Sequence, residues 1–171
     1  SALTYSWFME ARTLHAPLNA LSAATRPQGI EIATLTTFDI PALAVLTLEA
    51  YGDDVTPEAL LETSEELRLT FEGAFGATTE DSFVGAWDGG TLVGAILVVR
   101  ESPWDDAPDD PFVVDLIVAP DYRRRGIATA LVAEVAGRCA SWGFGSLALR
   151  LDSRHGGANE LYSVLGFEEI A

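Results

Sequence analysis

Apolar residues along this chain follow two rhythms, one of about two residues and one of about three and a half, and the switches between them mark the elements. Ile30 to Thr36 alternates in the strand period and predicts a first strand. Asp39 followed by Pro41 gives a helix start for Ile40 to Tyr51, with Gly52 as the stop. Thr56-Pro57-Glu58 starts a second helix by the same logic, running to about Phe71. Ser82 to Trp87 and Thr91 to Arg100 flank Asp88-Gly89-Gly90, a turn that folds them into an antiparallel hairpin. Phe112 to Val118 reads as an apolar strand interrupted only by Asp115, Gly126 to Trp142 as an amphipathic helix, and Ser146 to Leu151 as another apolar strand. A last helix is expected near Ala158 to Leu165. The succession from Phe112 to Leu151 needs a crossover connection, so its two strands are expected to be parallel neighbours. The fold class is therefore α+β (α/β mixed), with a central mixed, mostly antiparallel sheet and flanking helices.

Residues 1–29 contain Trp7, Phe8 and Met9 without a clear period and end in the linker-like Ala23 to Gly29. They are expected to form an N-terminal extension of no assigned role, ahead of a domain over 30–171. A chain of 171 residues with 49% apolar content suits one globular domain with a substantial core. Formal net charge is -16, carried against ten arginines and no lysine, and three of the ten lie at 123–125. Such a surface is expected to repel nucleic acid and anionic membranes and to favour a cationic partner. The longest strongly apolar run, Leu92 to Val99, is too short to span a bilayer, and the first residues lack a basic region followed by an apolar core, so a cytoplasmic location is expected. Cys139, the sole cysteine, shares a helix face with Ile127, Leu131 and Val135 and reads as core. His15 and His155 lie far apart without a third ligand, so no metal site is expected.

The run Arg123-Arg124-Arg125-Gly126-Ile127-Ala128-Thr129 joins the apolar strand to the amphipathic helix. A glycine at such a turn lets successive backbone N–H groups converge, and the helix N-terminus adds its partial positive charge. With three arginines beside it, the expected guest is a phosphorylated molecule. A dinucleotide fingerprint is excluded, because no glycine stands two residues before Gly126.

The segment from Leu116 to Leu131, with Arg123, Gly126 and Ala128 at the spacing Arg-x-x-Gly-x-Ala, resembles the GCN5-related N-acetyltransferase (GNAT) family. That resemblance implies acetyl-CoA as co-substrate and covers about residues 30–170. It implies that the pantetheine arm lies along Leu116, Ile117 and Val118, and that the pyrophosphate sits on the turn formed by Arg123, Arg124, Arg125, Gly126, Ile127, Ala128 and Thr129. Ala158 to Glu168 is similar to the family's closing helix with its Tyr-x-x-x-Gly-Phe ending. The resemblance implies that Tyr162 donates a proton to the departing thiolate. Seven residues before that tyrosine, where relatives often carry a cofactor-contacting asparagine, this chain has His155; Asn159 stands one helical turn before the tyrosine. Both are cofactor-binding candidates. A phenol of pKa about 10 is a competent acid toward a thiolate whose conjugate acid titrates near about 8.5.

Asp115 is the second catalytic candidate. A carboxylate in so apolar a strand needs water, a cleft or a partner. It could take the proton of an incoming ammonium or bind it as a counter-ion; an exposed edge position, or pairing with Arg100 or Arg150, is the structural alternative. The expected acceptor is a cationic amine on a small molecule or a peptide, with a homodimer left open. A non-catalytic acyl-CoA-binding module and a phosphate-binding interaction domain remain the competing readings.

Overall fold

Seven strands form a single sheet in the computed structural model, which describes residues 12–21, 26–101, 109–151 and 165–169. They are β1 (Arg12–Pro17), β2 (Ile30–Thr34), β3 (Phe83–Asp88), β4 (Thr91–Val99), β5 (Phe112–Val118), β6 (Ser146–Leu151) and β7 (Glu168–Glu169), ordered β2-β3-β4-β5-β6-β1-β7 across the sheet. Neighbours are antiparallel except β5 and β6, which are parallel as the crossover requires. Among the described residues the helices are α1 (Leu18–Leu21), α2 (Ile40–Ala50), α3 (Pro57–Phe71) and α4 (Ile127–Ser141). The fold is the mixed α+β class expected, with one parallel pair in an otherwise antiparallel sheet. Among the described residues no helix is long and apolar enough to cross a membrane.

Local chemistry sets the helix starts. Thr56 accepts a hydrogen bond from the Ala59 N–H at 3.1 Å with Pro57 at the first helical position, so α3 begins where its sequence says. α2 also starts where expected, at Ile40 with Asp39 as its N-cap, but through a different bond. Asp39 does not cap forward; its carboxylate accepts from the Thr36 N–H at 2.8 Å, closing a capping box around a 3-10 turn at Thr37–Asp39 that leads into the helix. Gly126 likewise stands just outside α4 as its N-cap.

The expected N-terminal extension is not separate over 12–21. Arg12–Pro17 pairs along the whole of β6 and also holds β7, so this segment is an interior strand of the sheet. Leu14 and Ala16 are its buried face. Two inward residues before Pro17 are too few to register as a period, and their partners lie far along the chain.

Both faces of the sheet are covered. β4 is buried from Leu92 to Val99, which explains its unbroken apolar run. α4 lies on the face of Gly94, where a Cβ would come within 2.8 Å of Ile127 Cγ2 and 3.2 Å of Leu131 Cδ1. Asp115 pairs across from Leu97, three residues on from Gly94, and therefore belongs to the opposite face, the one α2 covers. The far end of α4 is tied down by Arg138, which donates to Thr34 Oγ1 at 2.7 Å and to the Asp81 carbonyl at 3.0 Å. Trp142 Nε1 donates to the Asp81 carboxylate, which the Thr79 hydroxyl above all holds below the usual carboxylate range.

Because Gly94 lets α4 approach the sheet, Gly94→Ala should cost about 1–3 kcal/mol and lower the melting temperature by about 3–10 °C. Calorimetric or circular-dichroism melting checks this, and an unchanged midpoint would show that the contact yields without cost.

Candidate active site

The parallel pair that joins β5 to β6 is short. Only Phe112↔Ala148 and Val113↔Leu149 are in register; beyond them β6 stays with β1, and β5 stays with β4. At the next residue, Val114, β5 carries a bulge against β4, since Leu97 pairs with Asp115 but Val98 with Val113. A bulge bends its strand. This one falls where β5 leaves β6, so among the described residues the edge of β5 from Val114 to Val118 has no strand partner on the β6 side.

Alternation decides which groups face that opening. The Ala119 N–H donates to the Val93 carbonyl on β4 at 2.8 Å, so Ile117 and Asp115, two and four residues back, also turn their backbone groups toward β4. Leu116 and Val118 turn theirs toward the gap. The expectation that Ile117 shares this backbone role is therefore corrected: its backbone groups turn to β4 and its side chain is 5% exposed, while those of Leu116 and Val118 turn the other way.

After β5 the chain makes a 3-10 turn at Pro120–Tyr122 and enters α4 through two left-handed residues, Arg124 at φ 63° and Gly126 at φ 81°. Nothing crowds Gly126, where an added Cβ would meet only Pro27 Cγ at 3.8 Å; the backbone conformation, not space, requires glycine there. No side chain caps α4. Its first N–H groups, on Ile127, Ala128 and Thr129, have no acceptor within the helix and carry the positive end of its dipole.

The three arginines divide their labour. Arg123 does not point its charge into the turn's mouth; Nη2 donates to the Ala50 carbonyl at 2.6 Å and Nε to the Val118 carbonyl at 3.3 Å, so it ties the turn to the end of α2. Arg125 lies over the Tyr122 ring at 4.8 Å, and the Tyr122 hydroxyl donates to Asp88 Oδ2 at 2.6 Å. That bond to a carboxylate raises the Tyr122 pKa and keeps its proton in place. Arg124 is exposed.

Asp115 is 8% exposed, and its Oδ1 accepts a 2.6 Å hydrogen bond from the Tyr51 hydroxyl at the C-terminus of α2. The exposed-edge alternative is thereby excluded. Arg100 stacks over Trp142 and Phe144, at 5.5 and 5.7 Å from their ring centroids, and the side chain of Arg150 lies outside the described residues. Tyr51 escaped the sequence reading because it is 64 residues from Asp115 and its only local signal is the helix stop that follows it.

A family model described as the acetyltransferase (GNAT) family matches residues 45–167. The chain belongs to the GNAT family. The same fold recurs in solved structures. A GCN5-related N-acetyltransferase from Sphaerobacter thermophilus is 24% identical with a TM-score of 0.66, the match covering 94% of this chain and 48% of that one. A ribosomal-protein-alanine N-acetyltransferase from Escherichia coli is 20% identical with a TM-score of 0.61, over 83% of this chain and 79% of that one. PaiA N-acetyltransferase from Thermoplasma acidophilum, in complex with coenzyme A, is 19% identical with a TM-score of 0.61, over 81% and 89%. The chain thus spans about half the length of the Sphaerobacter protein. A search of curated proteins found no match.

This is an acetyltransferase domain of the GNAT type, a family whose co-substrate is acetyl-CoA. The residues present fit that molecule: a helix N-terminus without a side-chain cap, behind a left-handed glycine, suits its pyrophosphate, and the edge of β5, without a strand partner among the described residues, suits an extended amide-bearing arm. The sequence candidates Tyr162, His155 and Asn159 lie outside the described residues. Cys139 is 0% exposed, and burial pushes its thiol up to about 12, so it is no nucleophile. Among the described residues no group of three or more His, Cys, Asp or Glu side chains could hold a metal ion.

Gly126→Val should weaken acetyl-CoA binding by about tenfold or more, since a β-branched residue cannot hold the left-handed turn that aims the amides. Titration calorimetry reads this directly, and undiminished affinity would remove the backbone cradle from the account.

Proposed function

We propose that the domain moves the acetyl group of acetyl-CoA to a primary amine by direct attack within a ternary complex. The observation that carries this reading is the opening of β5 away from β6 immediately before an uncapped helix N-terminus, with a buried carboxylate on the same strand. When bound, acetyl-CoA would supply an activated acyl group as its thioester. The amides of Ile127 to Thr129 would hold its pyrophosphate, and the N–H groups of Leu116 and Val118 with the Leu116 C=O would hold its arm in the gap. One of those N–H groups would also polarise the reacting carbonyl.

Asp115 would take the proton from the acceptor's ammonium, leaving a lone pair on nitrogen, and Tyr162 would give a proton to the departing sulfur. His155 and Asn159 are proposed as further cofactor contacts. No covalent enzyme intermediate is required, in keeping with the inert Cys139. The acceptor class follows from charge. At a formal net charge of -16 the domain attracts cations, which favours polyamines, aminoglycoside-like amines and peptide amino termini over neutral or acidic acceptors.

Release of CoA thiol from acetyl-CoA in the presence of spermidine, neamine or an alanine-initiated peptide tests the reaction. Turnover with at least one of these cations is expected, and tight acetyl-CoA binding with no turnover on any would favour a binding module instead. Asp115→Asn is expected to lower kcat/KM for the amine by about 10²-fold, and Tyr162→Phe to lower kcat by about tenfold, with acetyl-CoA affinity nearly unchanged in both. Loss of affinity at undiminished kcat would contradict these roles.

A further inference from the structure

We propose that Tyr51 is a positioning residue for amine deprotonation: its hydroxyl fixes the Asp115 carboxylate in the orientation that receives the acceptor's proton. This rests on the reading of Asp115 as the proton acceptor. The bond itself is short, 2.6 Å from the Tyr51 oxygen to Asp115 Oδ1, and lies within the range of charge-assisted O–H···O⁻ bonds. Asp115 is 8% exposed and Ile117, the next residue along its own face, 5%, so solvent alone does not orient the carboxylate. A phenol donor stabilises the ionised form, which is the form that accepts a proton, and holds the carboxylate in one orientation.

The end of α2 is built to hold that phenol still. The Gly52 N–H donates to the Glu49 carbonyl at 3.2 Å and the Asp53 N–H to the Leu48 carbonyl at 2.9 Å, with Gly52 at φ 74°, the pattern of a Schellman motif whose C-cap is Tyr51. The Ala50 carbonyl, which that motif leaves over, is taken by Arg123 Nη2 at 2.6 Å. The same guanidinium reaches the Val118 carbonyl, so the backbone that carries Tyr51 is fastened to the strand that carries Asp115. Two independent anchors therefore fix the helix end from which the hydroxyl reaches across.

In the step so assisted, one N–H bond of the acceptor's ammonium breaks, its proton passes to a carboxylate oxygen of Asp115, and the electron pair stays on nitrogen for attack on the acyl carbon. Tyr51 keeps its own proton throughout and donates a hydrogen bond before and after transfer.

The test compares the full chain with Tyr51→Phe, Asp115→Asn and the double variant, using spermidine, neamine and an alanine-initiated peptide as acceptors. Tyr51→Phe keeps the ring and is expected to lower kcat/KM for the amine about tenfold or more, with acetyl-CoA affinity and melting temperature unchanged. In the Asp115→Asn background the same substitution is expected to add nothing. In protein labelled with carbon-13 at aspartate carboxyls, the resonance that Asp115→Asn deletes is expected to move in Tyr51→Phe. Wild-type turnover in Tyr51→Phe, full additivity of the two substitutions, or an unmoved carboxyl resonance overturns the proposal. Wild-type turnover in Asp115→Asn overturns the reading of Asp115 as well; impaired turnover there with a normal Tyr51→Phe overturns the role of Tyr51 alone. If none of the three amines is acetylated, the carboxyl resonance decides.

Discussion

Parallel pairing between β5 and β6 lasts for two residues of β5 and then stops, and the rest of the site depends on that stop. Backbone amides within a sheet are ordinarily consumed by their neighbours, and an unpaired stretch is costly unless water or a ligand takes it up. Here the cost is confined to one edge. β5 is held by β4 from Phe112 to Val118 on the other side, so the strand can be rigid although half of its β6-side edge has no strand partner among the described residues. The bulge at Val114 bends it at the residue where β6 is lost, and the register after the bulge puts Leu116 and Val118 toward the gap and Asp115 toward α2. One inserted residue thus sorts backbone hydrogen-bonding groups and the carboxylate onto separate tasks.

The strand's end adds the second constraint. Gly126 must be left-handed for the chain to turn into α4, and the turn leaves the helix's first amides uncapped. Arg123 then joins three pieces that are distant in sequence: the turn, the last carbonyl of β5 and the last turn of α2. Its charge is spent on carbonyls, so in the proposed reading the helix dipole, Arg124 and Arg125 would carry the electrostatic attraction for phosphate. Above and below, the packing of Ile127 and Leu131 against Gly94 and the hydrogen bonds of Arg138 fix α4 at both ends, which keeps its N-terminus aimed.

Much of the fold was legible from local pattern. β5, α3 and β6 begin and end at the residues their pattern indicates, because each has a clean cap or a largely apolar run. The arginine-glycine turn was legible for the same reason, being continuous in sequence between two strong elements. What escaped is non-local. β1 shows only Leu14 and Ala16 as inward residues, and its place beside β6 is visible only once the sheet is assembled. The gap beyond Val113 arises from pairings with β4 and β6 that no window of sequence contains. The Tyr51–Asp115 bond joins residues from a helix end and a mid-strand position, and the direction of the Arg123 side chain is set by a carbonyl 73 residues earlier.

Hydrogen exchange of the backbone amides, with and without acetyl-CoA, tests most directly whether the opened edge of β5 and the start of α4 form one site. The account predicts that acetyl-CoA slows exchange together at Leu116, Val118 and Ile127 to Thr129, while ATP, which lacks the pantetheine arm, leaves Leu116 and Val118 unchanged. Unaltered exchange at Leu116 and Val118 with acetyl-CoA bound would contradict it.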